Sequence, residues 1–522
     1  MRSVGTVLAL VVLATMVATF ARRRRIPAPS LLVVAGLAVA LIPGTPDIQV
    51  TPEVIGLVVL PPLLYASAEE LSWRELRAVW KPVGVLAVGL VLASAAAVGV
   101  VASVLTPLSW EMALVLGAVL ASTDPVAVTA LGRRLALPPK VQMLVQAESL
   151  FNDATSLVLF RVAVTVAVAS SAVSWEAAGG EFALLAGGGT LIGAAVAGIV
   201  ALIRRRTEDP VLETVIALIT PYAAYVLAEA AHTSGVTSVV VAGVVLGGRG
   251  DRLTNARIRL QLHAVYGTVV FLLESVVFSL IGLTLPAQVR ALSDGDRLWP
   301  LYALAVAATL VAVRMLWLAP LSALVQRKGG VEQVSWRVPV VLTWAGTRGV
   351  VPLAAALSIP VAADDGSILA QRPLVLVLTT SVVVVTLVVQ GFTLAPVVRR
   401  SGLALEPAHT EREEAAARCS LTTASIRRVD EMSELEAVPD VVLDRLRRSL
   451  KARLDHARDR LGPGHADPEE SADHIYRQLR RDLIEVEAGE LQRLYDDHRI
   501  SDTTRRRLQR SLDLEEARLA DA

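Results

Sequence analysis

Acidic and amide side chains recur at helical spacing within a segment that is otherwise fit for lipid. The motif Glu148-Ser-Leu-Phe-Asn-Asp153 leads directly into an apolar run that ends near Ser170. A carboxylate inside a bilayer costs a few kcal/mol or more, so it is usually kept because something binds to it. Two acids and an amide on one helix stripe therefore favour a functional site over a network that only holds helices together. On a helix this stripe consists of Glu148, Ser149, Asn152, Asp153 and Ser156.

A second motif, Ala121-Ser-Thr-Asp-Pro-Val126, interrupts the preceding apolar segment. Pro125 lacks a backbone donor and clashes with the preceding turn, which predicts a kink or an unwound stretch. Unwound backbone at bilayer depth is tolerated only where it is buried or lines a cavity. Its freed carbonyls, such as that of Thr123, can coordinate a hard cation. A simple proline kink would not require the adjacent charge of Asp124.

A third motif, Thr343-Trp-Ala-Gly-Thr-Arg-Gly-Val-Val-Pro352, breaks a later apolar segment around Arg348. Two interrupted helices at matching places in two inverted halves indicate the midplane site of a transporter. Broken helices expose partial charges of both signs. We expect Asp124 to balance exposed helix N-termini, and Arg348 to balance C-termini or to pair with Glu148.

The composition is that of a polytopic membrane protein. Hydrophobic residues make up 54% of the 522 residues, and runs of about 20 apolar residues recur along the chain. Helical periodicity and length predict about 13 spans between residues 3 and 398. The first of them, Val4 to Phe20, reads as a retained span and not as a signal peptide. The absence of a Walker-type loop argues against ATP as the energy source, and we predict neither an enzyme nor a cofactor.

The basic residues of the loops predict the topology. Roughly 20 of them fall in alternate loops and about four in the interleaved loops, which places the N-terminus outside and the C-terminus in the cytoplasm. We predict a membrane domain over residues 1–400 and a charged helical tail over residues 401–522, with a break between helices at Gly462 to Pro468. The sequence leaves open whether this tail is regulatory or contacts a second subunit. The loop residues concerned include Arg22 to Arg25, Arg133, Arg134, Arg204 to Arg206, Arg249 and Arg252.

Other charges inside or beside the predicted spans have less specific surroundings. Arg161 and Arg314 are candidates to neutralise an acid. Glu69 and Glu70 either mark the mouth of a cytoplasmic pathway or end their span. For the remaining acids the sequence favours structural pairing or snorkelling to the interface; these are Glu213, Glu229 and Glu274.

The combination of Thr123-Asp-Pro, Glu148 to Asp153 and Gly346-Thr-Arg-Gly resembles the signatures of the monovalent cation/proton antiporter-1 family, the bacterial sodium/proton exchangers. Leu60-Pro-Pro-Leu-Leu-Tyr also fits, and the end of the tail is similar to the long-tailed bacterial branch. The resemblance implies an all-helical inverted-repeat fold, a homodimer in the cell membrane, and exchange of Na⁺, sometimes Li⁺ or K⁺, for H⁺. It implies ion contacts from Asp153, Ser149 and the backbone of Thr123, and a supporting network of Glu148, Asp124, Asn152 and Arg348. Asp124 and Glu148 are further candidate cation contacts.

A single buried acid is enough to couple two ions. Burial disfavours an empty carboxylate, so Asp153 takes a proton when Na⁺ leaves. Asn152 cannot titrate, which predicts one-for-one, electroneutral exchange. The open alternatives are a K⁺/H⁺ antiporter and a cation channel with the same acids; an organic-solute symporter or a sensor fits less well. The predicted partners are a monovalent cation, the lipid bilayer and a second copy of the chain, with no nucleic acid.

Overall fold

The computed structural model is helical, with one isolated β-bridge between Asp124 and Thr347, over the part of the chain that it describes. The described residues are 2–24, 26–43, 55–71, 73–124, 139–168, 175–207, 209–248, 256–293, 296–328, 336–362, 369–402, 407–434, 440–459, 468–497, 499 and 502–521. Two compact units are present, Met1–Leu405 and Glu406–Ala522.

The first unit is built from helices because an apolar segment in lipid must satisfy its own backbone hydrogen bonds. Three stretches widen into π-helix, at Ile55–Val59, Val85–Leu90 and Thr386–Gln390. The helices are α1 Arg2–Arg24, α2 Ala28–Ala40, α3 Leu60–Glu69, α4 Trp73–Gly84, α5 Val91–Leu105, α6 Trp110–Leu120, α7 Pro139–Val168, α8 Trp175–Arg204, α9 Pro210–Ala230, α10 Gly235–Gly247, α11 Ala256–Arg290, α12 Trp299–Lys328, α13 Arg337–Trp344, α14 Val350–Leu357, α15 Arg372–Val385 and α16 Gly391–Ser401.

Seven helices within the described ranges are long and apolar enough to cross a membrane. They are the continuous helices α4–α5 and α15–α16, together with α7, α8, α9, α11 and α12. Five shorter apolar helices accompany them, in α1, α2, α3, α6 and α10. The total of 13 spans and the inverted repeat stay predictions. Among the basic residues that predict the topology, Arg25, Arg133, Arg134, Arg249 and Arg252 lie outside the described residues.

Helices approach most closely where glycine removes the side chain. A Cβ on Gly36 of α2 would overlap the backbone carbonyl of Ser279, and a Cβ on Gly282 of α11 would overlap that of Val33. Lipid tails are as apolar as leucine, so this kind of close van der Waals packing, and not hydrophobic transfer, holds membrane helices together.

Helix α6, which leads into the Thr123-Asp-Pro motif, lies inside the unit. Leu116 and Leu120 on this helix are fully buried, in a cluster with residues of α5, α12, α14 and α15. Gly117 of α6 packs directly on the backbone of Ala95 in α5. These contacts on several sides fix the end of α6, and with it the position of the residues that follow.

The second unit contains four charged helices, α17 Pro407–Glu434, α18 Asp440–Asp459, α19 Pro468–Asp496 and α20 Asp502–Asp521. An ion pair between Arg447 and Asp430 at 2.9 Å joins α18 to α17, and one between Arg480 and Glu515 at 2.7 Å joins α19 to α20. Exposed pairs of this kind contribute little to stability. Of the predicted break at Gly462 to Pro468, only Pro468 lies within the described residues, and it begins α19.

Candidate functional site

Two interrupted helices meet at the centre of the site. Helix α6 ends at Leu120 and the chain from Ser122 to Asp124 is not helical, while the five residues between α13 and α14 are likewise unwound. The Asp124 N–H donates to the Thr347 carbonyl at 2.7 Å, and the Thr347 hydroxyl donates to the Asp124 carbonyl at 2.7 Å. Each interruption thus supplies hydrogen-bond partners for backbone groups that the other interruption leaves without a helical partner. Pro125, which predicts the first break, lies outside the described residues.

Asp124 lies against the start of α14. Gly349 is the N-cap residue of that helix, and a Cβ there would overlap the Asp124 carboxylate. Glycine therefore permits an acidic group to approach a helix N-terminus, where the exposed N–H groups favour negative charge. This is the position that the sequence predicts for Asp124.

Arg348 lies at the opposite kind of helix end. Its Nε donates to the carbonyl of Leu120, the last residue of α6, and its Nη1 donates to the carbonyl of Gly346, each at 2.7 Å. The side chain is buried, and its backbone N–H donates to Thr386 at 3.2 Å. Arg348 therefore satisfies carbonyls that the interrupted helices leave without partners, which is the first of the two roles expected for it.

The second expected role of Arg348, a pair with Glu148, is wrong for this structure. Glu148 is paired with Arg314 of α12, through Nη1 to Oε1 at 2.5 Å and Nη2 to Oε2 at 2.8 Å. The Arg314 Nε donates to the Leu342 carbonyl at 3.0 Å, and both side chains are almost completely buried. A bidentate ion pair of this geometry uses both carboxylate oxygens. A cation contact from Glu148, which the sequence analysis allows, would have to displace this arginine.

Asn152 and Ser149 hold the unwound segment at Thr123. The Asn152 amide donates to the Thr123 hydroxyl at 2.6 Å, and its oxygen accepts from the Thr123 N–H at 3.3 Å. The Ser149 hydroxyl donates to the Thr123 carbonyl. One turn further along α7, Ser156 donates to the Ala118 carbonyl at 2.7 Å. The predicted polar stripe of α7 therefore faces the end of α6.

Asp153 differs from Glu148 in having no basic partner. Its side chain is 8% exposed and forms no ion pair with any residue that the structure describes. Asp124 and Arg348 act on it electrostatically, and the Ser122 hydroxyl lies beside it. That hydroxyl is fully buried and makes no well-formed hydrogen bond within the described ranges. A carboxylate without an ion-pair partner among the described residues and a buried hydroxyl thus lie side by side.

The site presents oxygen atoms of three chemical kinds close to Thr123: the carboxylate of Asp153, the hydroxyls of Ser149 and Ser122, and the Thr123 carbonyl. Oxygen is the ligand type that hard cations such as Na⁺ prefer. Asp124 adds a second negative charge nearby, while the nearest guanidinium, Arg348, is held by backbone carbonyls. The residues present therefore fit a small monovalent cation.

The other membrane charges divide into paired and unpaired groups. Arg161 of α7 forms an ion pair with Glu229 of α9, and Arg204 forms one with Glu213 at 2.6 Å. The structural pairing expected for Glu213 and Glu229 is observed. Glu274 is different, because it forms no ion pair or hydrogen bond with the residues described here.

Comparison with known proteins assigns the chain to a family. The model of the transmembrane sodium/hydrogen exchanger family matches residues 8–400. The chain belongs to this family. An uncharacterised Na⁺/H⁺ exchanger of Mycobacterium tuberculosis is 34% identical to this exchanger, over 99% of this chain and 97% of the relative. The Na⁺/H⁺ antiporter ApNhaP of Aphanothece halophytica is 32% identical, over 88% and 84% of the two chains.

A solved structure shares the fold. The sodium proton antiporter MjNhaP1 from Methanocaldococcus jannaschii matches this exchanger with a TM-score of 0.61, covering 78% of this chain and 99% of that chain at 20% identity. The family match over residues 8–400 confirms the family that the sequence motifs suggest. The exchanger is a multi-pass membrane transporter and not an enzyme, and it is helical over the described residues.

Sequence reasoning missed two parts of the site. Ser122 stands in the quoted Ala121-Ser-Thr-Asp motif, but a serine within a motif gives no signal that its hydroxyl lies beside Asp153. Thr347 forms the bridge to Asp124 with its backbone and hydroxyl, and only the structure shows which segment faces it.

Proposed function

We propose that this exchanger carries Na⁺ and H⁺ across the membrane in opposite directions, one Na⁺ for one H⁺. The two ions occupy Asp153 alternately. The observation that supports it is the contrast between the two acids of one motif. Glu148 is neutralised by Arg314, whereas Asp153 has no basic partner among the described residues and lies beside the buried hydroxyl of Ser122. The acid without a partner is the one that needs a cation.

Cation binding uses the oxygen atoms around Thr123. Asp153 supplies the charge, and the candidate neutral ligands are the Ser149 hydroxyl, the Thr123 carbonyl and the Ser122 hydroxyl. Asn152 holds Thr123 through its hydroxyl and its N–H, so it orients the carbonyl and does not bind the ion itself. Glu148 belongs to the support, because Arg314 occupies both its oxygens.

Exchange follows from the cost of an empty site. A buried carboxylate that carries neither ion is an uncompensated charge, which burial strongly disfavours. Binding of Na⁺ or of H⁺ neutralises it, and the neutral site crosses the membrane more easily than the empty one. Because both ions need the same carboxylate, each displaces the other. Coupling then needs no separate gate that counts ions.

The stoichiometry depends on residue 152. Asn152 cannot carry a proton in place of a cation, so each cycle moves one Na⁺ one way and one H⁺ the other way. Net charge movement is then zero. We expect exchange in proteoliposomes to be insensitive to an imposed membrane potential, and a clear voltage dependence would contradict the single-carboxylate mechanism.

The cellular setting completes the proposal. The exchanger acts as a homodimer in the bacterial plasma membrane, with the N-terminus outside and the residue 401–522 tail in the cytoplasm, and serves pH and sodium homeostasis. The orientation depends on the basic residues of alternate loops, and the tail on its charged composition without a spanning stretch.

The decisive experiment is dissipation of a pH gradient in proteoliposomes. Addition of Na⁺ to the wild-type exchanger is expected to release the gradient, and Li⁺ and K⁺ compared at the same concentration give the selectivity. Asp153→Asn is expected to abolish the response to every cation, because its site is permanently neutral. Ser156→Ala, on the same helix stripe, is the control for a general disturbance of α7.

Three outcomes oppose the proposal. Retained Na⁺-dependent proton movement in Asp153→Asn removes the role of Asp153. A response to K⁺ but not to Na⁺ replaces the sodium exchanger with a K⁺/H⁺ antiporter. Uncoupled cation flux without a proton gradient identifies a channel.

A further inference from the structure

Glu274 on α11 is a membrane acid that the exchange mechanism does not use. It shares a helix face with Phe278, Ile281 and Leu285, which follow it at intervals of four, three and four residues and are all buried. Glu274 itself is partly buried, and its side chain therefore lies on the face of α11 that is turned toward the interior of the unit. Most acids on a buried helix face are neutralised by a partner.

Among the residues that the structure describes, no such partner is found for Glu274. The buried pairs Arg314–Glu148 and Arg204–Glu213 show how this protein neutralises an acid within the membrane. Glu274 forms no ion pair and no hydrogen bond with a described residue, and it differs in this respect from Glu213 and Glu229.

The electrostatic neighbours of Glu274 are themselves acids. They are Asp124 of the unwound segment and Glu70 beside the end of α3. Asp124 in turn acts on Asp153. Glu274 therefore interacts electrostatically with the acidic end of α3 and with Asp124 of the candidate cation site. Negative charges close together repel one another, and a cation placed among them is stabilised by each.

We propose that Glu274 is a positioning residue that sets the Na⁺ affinity of the Asp153 site. It acts through its negative charge next to Asp124, and the ion it favours is a small monovalent cation. The inference rests on the proposed exchange of Na⁺ at Asp153. A negative charge that strengthens Na⁺ binding lowers the Na⁺ concentration needed for half-saturation of exchange. The maximal rate is set by other steps.

The test compares variants that differ in charge but not in size. Na⁺-dependent exchange is measured in proteoliposomes at alkaline pH, where competition from protons is weakest, for two isosteric pairs: wild type with Glu274→Gln, and Glu274→Asp with Glu274→Asn. The neutral member of each pair is expected to raise the apparent KM for Na⁺ about three- to tenfold with little change in the maximal rate. Glu111→Gln, which removes an acid at the start of α6, is the control and is expected to leave KM unchanged.

A second measurement does not depend on transport. The Na⁺ concentration that half-maximally raises the unfolding temperature of the purified exchanger is expected to increase by the same factor in the neutral variants. If Glu274→Gln cannot be purified folded, the Asp and Asn pair still decides between charge and size.

The results separate the two proposals. Equal KM values within both pairs, or a loss of maximal rate that Glu274→Asp shares, would overturn the role of Glu274 while the function of the exchanger stands. An absence of Na⁺ exchange in the wild type would instead overturn the function on which the inference depends.

Discussion

The carboxylate of Glu148 is held by the guanidinium of Arg314 across 166 residues of sequence, with contacts of 2.5 and 2.8 Å. This pair gives the two acids of the α7 motif different surroundings, since Asp153 has no basic partner in the part of the chain that the structure describes. It also joins α7 to α12 and, through the Arg314 contact with Leu342, to α13. Helix α7, which carries the candidate cation site, is thereby linked through Arg314 to α13, the helix that precedes the second interruption.

The first prediction concerns the stability supplied by this pair. Arg314→Met leaves Glu148 buried and uncompensated, which typically destabilises a protein by about 3–5 kcal/mol. The double variant Glu148→Met/Arg314→Met is expected to recover most of this loss, because no charge is left alone. Thermal unfolding of the purified proteins measures both. If the stability lost in the double variant equals the sum of the losses in Arg314→Met and in Glu148→Met, the two side chains are not coupled.

The second prediction concerns Ser122, whose hydroxyl lies beside Asp153. Ser122→Ala removes one candidate cation ligand and is expected to raise the apparent KM for Na⁺ about two- to tenfold, the range of one net hydrogen-bond-like interaction. Ser156→Ala is the matched control, because the Ser156 hydroxyl is already used by the Ala118 carbonyl. Equal KM values for the two variants would remove Ser122 from the cation site.

The third prediction tests the close approach of Asp124 to α14. Gly349→Ala places a Cβ where the Asp124 carboxylate lies, so that the acid must move away from the helix N-terminus. We expect a strong loss of exchange rate in the proteoliposome assay. Gly198→Ala is the control, since a Cβ at Gly198 of α8 meets no atom within 4 Å. Normal exchange by Gly349→Ala would show that the position of Asp124 does not matter for transport.

The positions of the broken helices were predictable because local chemistry dictates them. A proline at position 125 of a continuous helix would clash with the carbonyl four residues earlier, and α6 ends at Leu120, directly before that residue. The two glycines around Arg348 predict the second interruption, which lies between Trp344 and Val350. Helical spacing likewise predicts that Ser149, Asn152 and Ser156 share a face.

The partners of the charged side chains were not predictable from sequence. Arg314 and Arg348 are both arginines in apolar surroundings, and nothing local distinguishes the one that reaches Glu148 from the one that reaches Leu120. The choice depends on how α12 and α13 pack against α7 and α6, which is a property of the tertiary structure. For the same reason the sequence did not separate Glu274, which has no ion-pair partner within the described ranges, from Glu213 and Glu229, which have one.

The fourth prediction tests on which side of the membrane the tail lies, and the chain supplies its own probe. Cys419 on α17 is its single cysteine, and its thiol is free and partly exposed. If the tail is cytoplasmic, a membrane-impermeant maleimide is expected to label Cys419 in inside-out vesicles and to leave it unlabelled in sealed right-side-out vesicles until detergent is added. Cys419→Ser, labelled in parallel, controls for reaction with other proteins. Labelling of intact right-side-out vesicles would place the tail outside and would reverse the proposed orientation. The basic residues of alternate loops predict that orientation, and the same topology places the tail in the cytoplasm.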